Sequence, residues 1–236
     1  MSDTSLVVRP HEATALAVVP GTEALERSDM VLPRLRLVQS QSTFTEADPG
    51  LLYNSLTGEA KPQVRAVVLK VGKARVMWPE AFQRDQDPLC ASNDAVVPRE
   101  EFIGAYAERC EACPMAEWQE DAPPPCSFGY TYLVADRDAD DLPAILTATR
   151  TSLKPAKAAN TLIRAFGVKR EIVISSQQVV NDRGKFFTLT FKLGAEIEPE
   201  NVARYAAMSQ ALGGVVLTAD TGEENGAGEV NDALEF

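Results

Sequence analysis

Residues 171–193 leave the chain few ways to fold. Two runs rich in β-branched and aromatic residues, 171–180 (EIVISSQQVV) and 185–193 (KFFTLTFKL), flank Asn181-Asp182-Arg183-Gly184. Branched side chains suit a pleated strand, and Asn, Asp and Gly suit the tight reversal between two of them, so the stretch predicts an antiparallel hairpin. Along its second arm Phe187, Leu189, Phe191 and Leu193 share one face, with Lys185 at the mouth of that face. The rings make it the expected core face, and Phe186, Thr188, Thr190 and Lys192 then point outward. One hairpin is marginal alone, so further strands must cover it.

Those strands are legible elsewhere. Residues 64–71 (VRAVVLKV) run into Gly72-Lys73, which reads as a tight turn, and residues 74–78 (ARVMW) read as the return strand. Cys126–Asp136 (CSFGYTYLVAD) places Phe128, Tyr130 and Tyr132 at period two, on one face. Residues 144–151 predict another strand. Two helices are expected. One covers Leu153–Phe166, with Ser152 as its cap, Pro155 in its first turn and Gly167 beyond its end; the other covers residues 199–212, from Pro199 to Gly213-Gly214. The fold class is therefore mainly β with a few helices (α+β). Five or six short strands with one crossing helix suit an OB-fold-like five-stranded barrel, with a β-sandwich as the alternative.

Charge is segregated along the chain. The net charge is −11, yet residues 31–78 carry 7 basic against 3 acidic side chains, and residues 142–195 carry 9 against 2. Between them, residues 79–141 carry 4 basic and 15 acidic side chains, and residues 217–236 carry six acids and no Lys or Arg. Local potential, more than the total, decides what a groove attracts. The expected organisation is a flexible arm at residues 1–30, one domain at 31–216 with a cysteine-rich insertion at 79–127, and a disordered acidic tail at 217–236. No apolar run reaches the length of a membrane span and no signal-peptide layout opens the chain, so a cytoplasmic protein without membrane contact is expected.

All four cysteines fall in the acidic insertion, as Cys90, Cys110, Cys113 and Cys126, in the order C-x19-C-x2-C-x12-C. Cys110-Glu-Ala-Cys113 has the spacing that lets two thiolates share one metal, and Cys90 and Cys126 can complete a tetrahedron around one structural Zn2+. The insertion contains Pro123-Pro124-Pro125 and little apolar periodicity, so it needs such a staple. Two disulfides, four unrelated thiols and an iron–sulfur cluster are the alternatives. A reducing compartment argues against disulfides.

Catalysis finds little in the sequence, and no catalytic residue is assigned. The single histidine, His11, lies in the arm, and no phosphate-cradling glycine loop occurs. Asp136, Asp138, Asp140 and Asp141 crowd one short segment, which reads as a solvated turn at a strand end.

The segments Pro33-Arg34-Leu35-Arg36-Leu37-Val38-Gln39 and Gly50-Leu51-Leu52-Tyr53-Asn54-Ser55-Leu56-Thr57-Gly58-Glu59, the strand pair, the cysteine insertion, Thr151-Ser152-Leu153-Lys154 with Ala156-Lys157, and the acidic tail together form a layout. It resembles single-stranded DNA-binding proteins of tailed bacteriophages. The resemblance covers residues 31–195 and the tail. It implies an oligonucleotide-binding barrel that coats and protects single-stranded DNA in replication, recombination and repair, in the host-cell cytoplasm if the protein is phage-encoded. It also implies a tail that competes with DNA and recruits replication or recombination proteins through Asp232, Leu234, Glu235 and Phe236. The tail's acids are more widely spaced, by Gly, Ala and Asn, than is usual in such tails. Homo-oligomer formation stays open.

Single-strand binding needs a cationic track and exposed rings on which bases stack. The expected track is Arg65, Lys73, Arg75, Arg150, Lys154, Lys157, Lys185 and Lys192. The expected platform is Trp78, Tyr130, Tyr132 and Phe186, while Trp118 is expected to pack the zinc module. A zinc-stabilised adaptor without DNA binding and a strand-annealing recombination protein are the competing readings.

Overall fold

The computed structural model describes residues 21–22, 24–25, 29–40, 47–79, 87–118, 120, 122–181 and 184–218. Within them nine strands and two α-helices build a mainly β fold. The strands are β1 (Arg34–Leu37), β2 (Leu52–Asn54), β3 (Ala60–Lys61), β4 (Gln63–Met77), β5 (Cys90–Ser92), β6 (Cys126–Asp136), β7 (Leu142–Thr149), β8 (Arg170–Asn181) and β9 (Gly184–Glu196). The helices are α1 (Leu153–Phe166) and α2 (Pro199–Ala211). One sheet holds all nine strands, in the order β3-β2-β1-β7-β6-β4-β8-β9 with β5 paired to β4. It is mixed, because β1 runs parallel to β7 while the other pairs are antiparallel.

The sheet curls into a half-barrel. The Gln39 side-chain amide acts as a strand at the closing seam: Nε2 donates to the Phe187 carbonyl at 2.9 Å and Oε1 accepts from the Phe187 amide at 2.9 Å. The Ser176 hydroxyl donates to the Gly50 carbonyl beside it. Gly50 has φ +93°, and a Cβ there would stand 2.5 Å from the Phe187 ring, so only glycine fits this crossing.

Both faces of the sheet are covered. Inside the curl, Leu35, Leu52, Val64, Ala66, Val68, Tyr132, Val134, Leu146, Ile172, Ile174 and Leu189 pack together with Ala156 of α1. Outside it, Val67, Leu69, Leu133, Ala135 and Ile145 pack under Tyr205, Met208 and Leu212 at α2, and under Val215 and Leu217. Strands with two covered faces carry near-continuous apolar runs, as residues 132–135 do.

The limits of β6 and α1 agree with expectation, the hairpin arms run one to three residues longer at their ends, and Gly167 ends α1 with φ +54°. Three details differ. Gly72-Lys73 makes no turn: β4 is one strand of 15 residues, in register with β6 through Val71↔Tyr132, Gly72↔Thr131 and Lys73↔Tyr130. Gly72 is there because a Cβ would sit 2.7 Å from Thr131 Oγ1, under the Leu217 side chain. Ser152 makes no side-chain cap on α1; its hydroxyl accepts the Leu189 amide at 3.0 Å and so ties the helix start to β9. The ordered chain also extends past residue 216, since Leu217 is 3% exposed and Arg34 donates to the Thr218 hydroxyl at 2.6 Å. Among the described residues no helix is long and apolar enough to cross a membrane.

Candidate nucleic-acid interface

A β-bulge in β4 decides which residues can act together. The β4–β6 register shifts between Val68 and Lys70, leaving Leu69 as the extra residue. Each single-residue shift moves all following side chains to the other face. Before the bulge Val64, Ala66 and Val68 face inward, so Arg65 faces outward. After it Val71, Lys73 and Arg75 face inward, opposite Tyr132, Tyr130 and Phe128. Lys70 faces outward, where its Nζ donates to the carbonyls of Gly213 (2.6 Å) and Val215 (2.7 Å) just beyond α2.

The inner face beyond the bulge therefore carries two cations and, besides the buried Tyr132, two partly exposed rings. Lys73 is exposed, and Arg75, Phe128 and Tyr130 are half-buried. Phe128 and Tyr130 meet edge to face at 5.2 Å, and the Arg75 guanidinium lies 5.5 Å from the centre of the Phe128 ring. Ring faces and side-chain cations in such contact suit stacked bases and phosphates.

The other expected site residues are distributed differently. Tyr132 is 1% exposed and donates to Asn160 Oδ1 at 2.8 Å, so it is core and offers no ring to a base. Burial, above all, pushes its phenol well above the usual range. Arg65 holds Asp138 with Nε at 2.8 Å and Nη2 at 2.6 Å, on the outer face. Lys192 joins it there, because Arg65 pairs with Val173 and Val173 with Lys192. Trp78 packs on Ala74 and Val76, which point away from Arg75. Arg150, Lys154, Lys157 and Lys185 are exposed and Phe186 is half-buried. Arg150 has φ +49° in the turn between β7 and α1, and the Ser152–Leu189 contact brings that turn alongside the half of β9 that carries Lys185 and Phe186. Phe128 completes the platform although it was not expected as a site residue; its period-two spacing with Tyr130 was the signal. Asp232, Leu234, Glu235, Phe236 and His11 lie outside the described residues.

The aspartates after β6 are engaged structurally. Asp136 accepts the Asp138 amide at 2.9 Å, Asp138 takes Arg65, and Asp141 accepts the Tyr205 hydroxyl at 2.6 Å and pairs with Arg204.

The four cysteines converge at the far end of the inner face, where Cys90, Cys110, Cys113 and Cys126 line one small cavity. Met77 pairs with Cys90 on one side and with Cys126 on the other, so both cysteine side chains project from the same face as Arg75. Cys110 and Cys113 come over on a 3-10 turn anchored by the Cys110 amide on the Val96 carbonyl at 2.9 Å. All four are free thiols. Burial first, then the neighbouring thiols, push Cys90 up to about 11. Among the described residues no three Cys, His, Asp or Glu side chains are already drawn into a ligand set. The chemistry of the donors, four sulfurs lining one cavity, nonetheless is that of a thiophilic ion's ligands. Trp118 does not pack this module, being 69% exposed.

Neither the curated proteins nor the solved structures contain a match to this chain. The family model described as Pam3 phage gp34-like protein matches residues 4–216, nearly the whole chain, and the protein belongs to that family.

Proposed function

We propose that the protein binds single-stranded DNA along the inner face of the half-barrel, coating and protecting it during replication, recombination or repair in the host-cell cytoplasm. One observation carries this reading: Lys73, Arg75, Phe128 and Tyr130 stand together on the inner face beyond the bulge. Arg150, Lys154, Lys157 and Lys185 extend the track along the mouth, while Phe186, on the outward parity of β9 with Lys192, is left out of it. Bases stack on Phe128 and Tyr130, each worth roughly 1–3 kcal/mol, while the cations take phosphates. On the same reading the cysteines hold one structural Zn2+, and the acidic tail, through Asp232, Leu234, Glu235 and Phe236, competes with DNA and recruits replication or recombination proteins.

The test is fluorescence anisotropy of a labelled thymine oligonucleotide, titrated at several salt concentrations with an equal-length duplex as competitor. Tight binding that resists the duplex and weakens with salt is expected, with a log–log slope of about −0.7 per phosphate contacted. A folded protein that fails to bind at low salt would sink the proposal. The adaptor reading would then lead, on the strength of Trp118 and Ile103, which are 69% and 55% exposed on the insertion.

A further inference from the structure

Arg75 stands in two places at once. On one side its guanidinium covers the Phe128 ring at 5.5 Å. On the other it lines the cavity formed by Cys90, Cys110, Cys113 and Cys126, and among the described residues of that cavity it is the only charged side chain. The register compels this, since Arg75 lies two residues before Met77, the residue flanked by Cys90 and Cys126. Within this arrangement Arg75 Nε is buried and has no hydrogen-bond acceptor.

A cation with an orphaned N–H is costly to bury against neutral thiols, because they are weak acceptors and offer no charge. Four thiolates on a divalent ion change the balance. Such a centre carries a net charge of about −2, and its sulfurs need outer-shell donors to hold that charge out of water.

We propose that Arg75 is the outer-shell partner of the four-cysteine metal centre, donating its Nε–H to a ligand sulfur and thereby joining that centre to the Phe128 platform. The inference rests on the zinc assignment made above and adds a positioning role for Arg75. The centre fixes the far end of the platform through this one side chain. Arg75 is then shared between metal and nucleic acid, and Lys73 is the inner-face cation left wholly to phosphate.

The full-length reduced protein tests this without DNA. Zinc content is measured directly, and zinc affinity is measured by competition with a chromophoric chelator. Wild type should retain one equivalent, and Arg75→Gln should bind it roughly 10–100-fold more weakly, with Arg75→Lys intermediate and Lys73→Gln unchanged. Should Arg75→Gln fold poorly by circular dichroism, the wild type still decides the matter: on adding zinc, the Arg75 Nε–H resonance should shift and become protected from exchange. Wild type that retains no zinc would overturn the metal assignment and the inference with it. One equivalent of zinc bound equally well by wild type and Arg75→Gln, or an Arg75 Nε–H indifferent to zinc, would overturn the role of Arg75 alone. Neither readout depends on whether the protein binds DNA.

Discussion

The two halves of the β4–β6 ladder, on either side of the bulge at Leu69, are made of similar residues and do different work. In the first half every inward side chain is sealed, and its cation, Arg65, is turned outward onto Asp138. In the second half the inward residues are Val71, Lys73 and Arg75 beside Tyr132, Tyr130 and Phe128; Tyr132 is still buried, but along β4 the face opens, from 6% exposed at Val68 to 40% at Val71. One inserted residue separates a core from a surface. Charge and aromatic content therefore say little about binding until the parity of the strand is known.

The sharpest way to break this comparison is to truncate the two tyrosines that follow the bulge on the inner face, the buried one opposite Val71 and the half-buried one opposite Lys73. Tyr132→Ala removes a ring that is 1% exposed, together with its hydrogen bond to Asn160. It should cost about 3–5 kcal/mol, as other buried aromatic truncations do, read as a lower urea midpoint. Tyr130→Ala, two residues away on the same strand face, should cost far less stability and instead weaken oligonucleotide binding by roughly 1–3 kcal/mol. Equal stability losses at the two positions would mean that Tyr130 is core as well, and the platform reading would fail.

The cations give the next contrast. Lys73→Gln should lower the steepness of the salt dependence by about 0.7, one phosphate contact, whereas Arg65→Gln should leave the slope unchanged. A slope that falls with Arg65→Gln would place the DNA on the outer face.

Much of this fold is readable from residue type. The alternation in residues 171–193 and 126–136 marks the strands, the Leu153–Phe166 pattern marks α1, and C-x2-C announces the paired thiols. What was not readable is parity. Nothing about Leu69 distinguishes it from its neighbours in a run of apolar residues, so the sequence places Arg65, Lys73 and Arg75 in one cationic track. Gly72 looked like a turn residue because its actual constraint, the Thr131 side chain across the sheet, is set by pairing. The seam between Gln39 and Phe187 joins positions far apart in the chain, which no local pattern records. Cys90 and Cys126 converge for the same kind of reason, through their shared partner Met77.

The weakest expected effect lies in the first half, at the pair that Arg65 makes with Asp138 on the outer face. Burial would raise the Asp138 carboxyl, but hydrogen bonds from the Arg65 side chain and amide outweigh it and hold it below the usual range. A carboxyl lowered in the folded state adds stability above its unfolded pKa, and that stability is lost as pH falls through the folded value. Asp136 behaves oppositely: burial raises it despite the Asp138 amide and Lys61, so its charged form costs stability above the unfolded pKa and protonation recovers it. Asp138→Asn should lower Tm by roughly 2 °C or less at neutral pH, since the pair is half exposed. It should also flatten the acid loss, because the term that disappears below about pH 4 has been removed. Urea midpoints of wild type and variant between pH 3 and pH 7 measure both effects. Parallel curves over that range would show that Asp138 is a plain solvated acid, and that the bulge alone holds the two cationic rows apart.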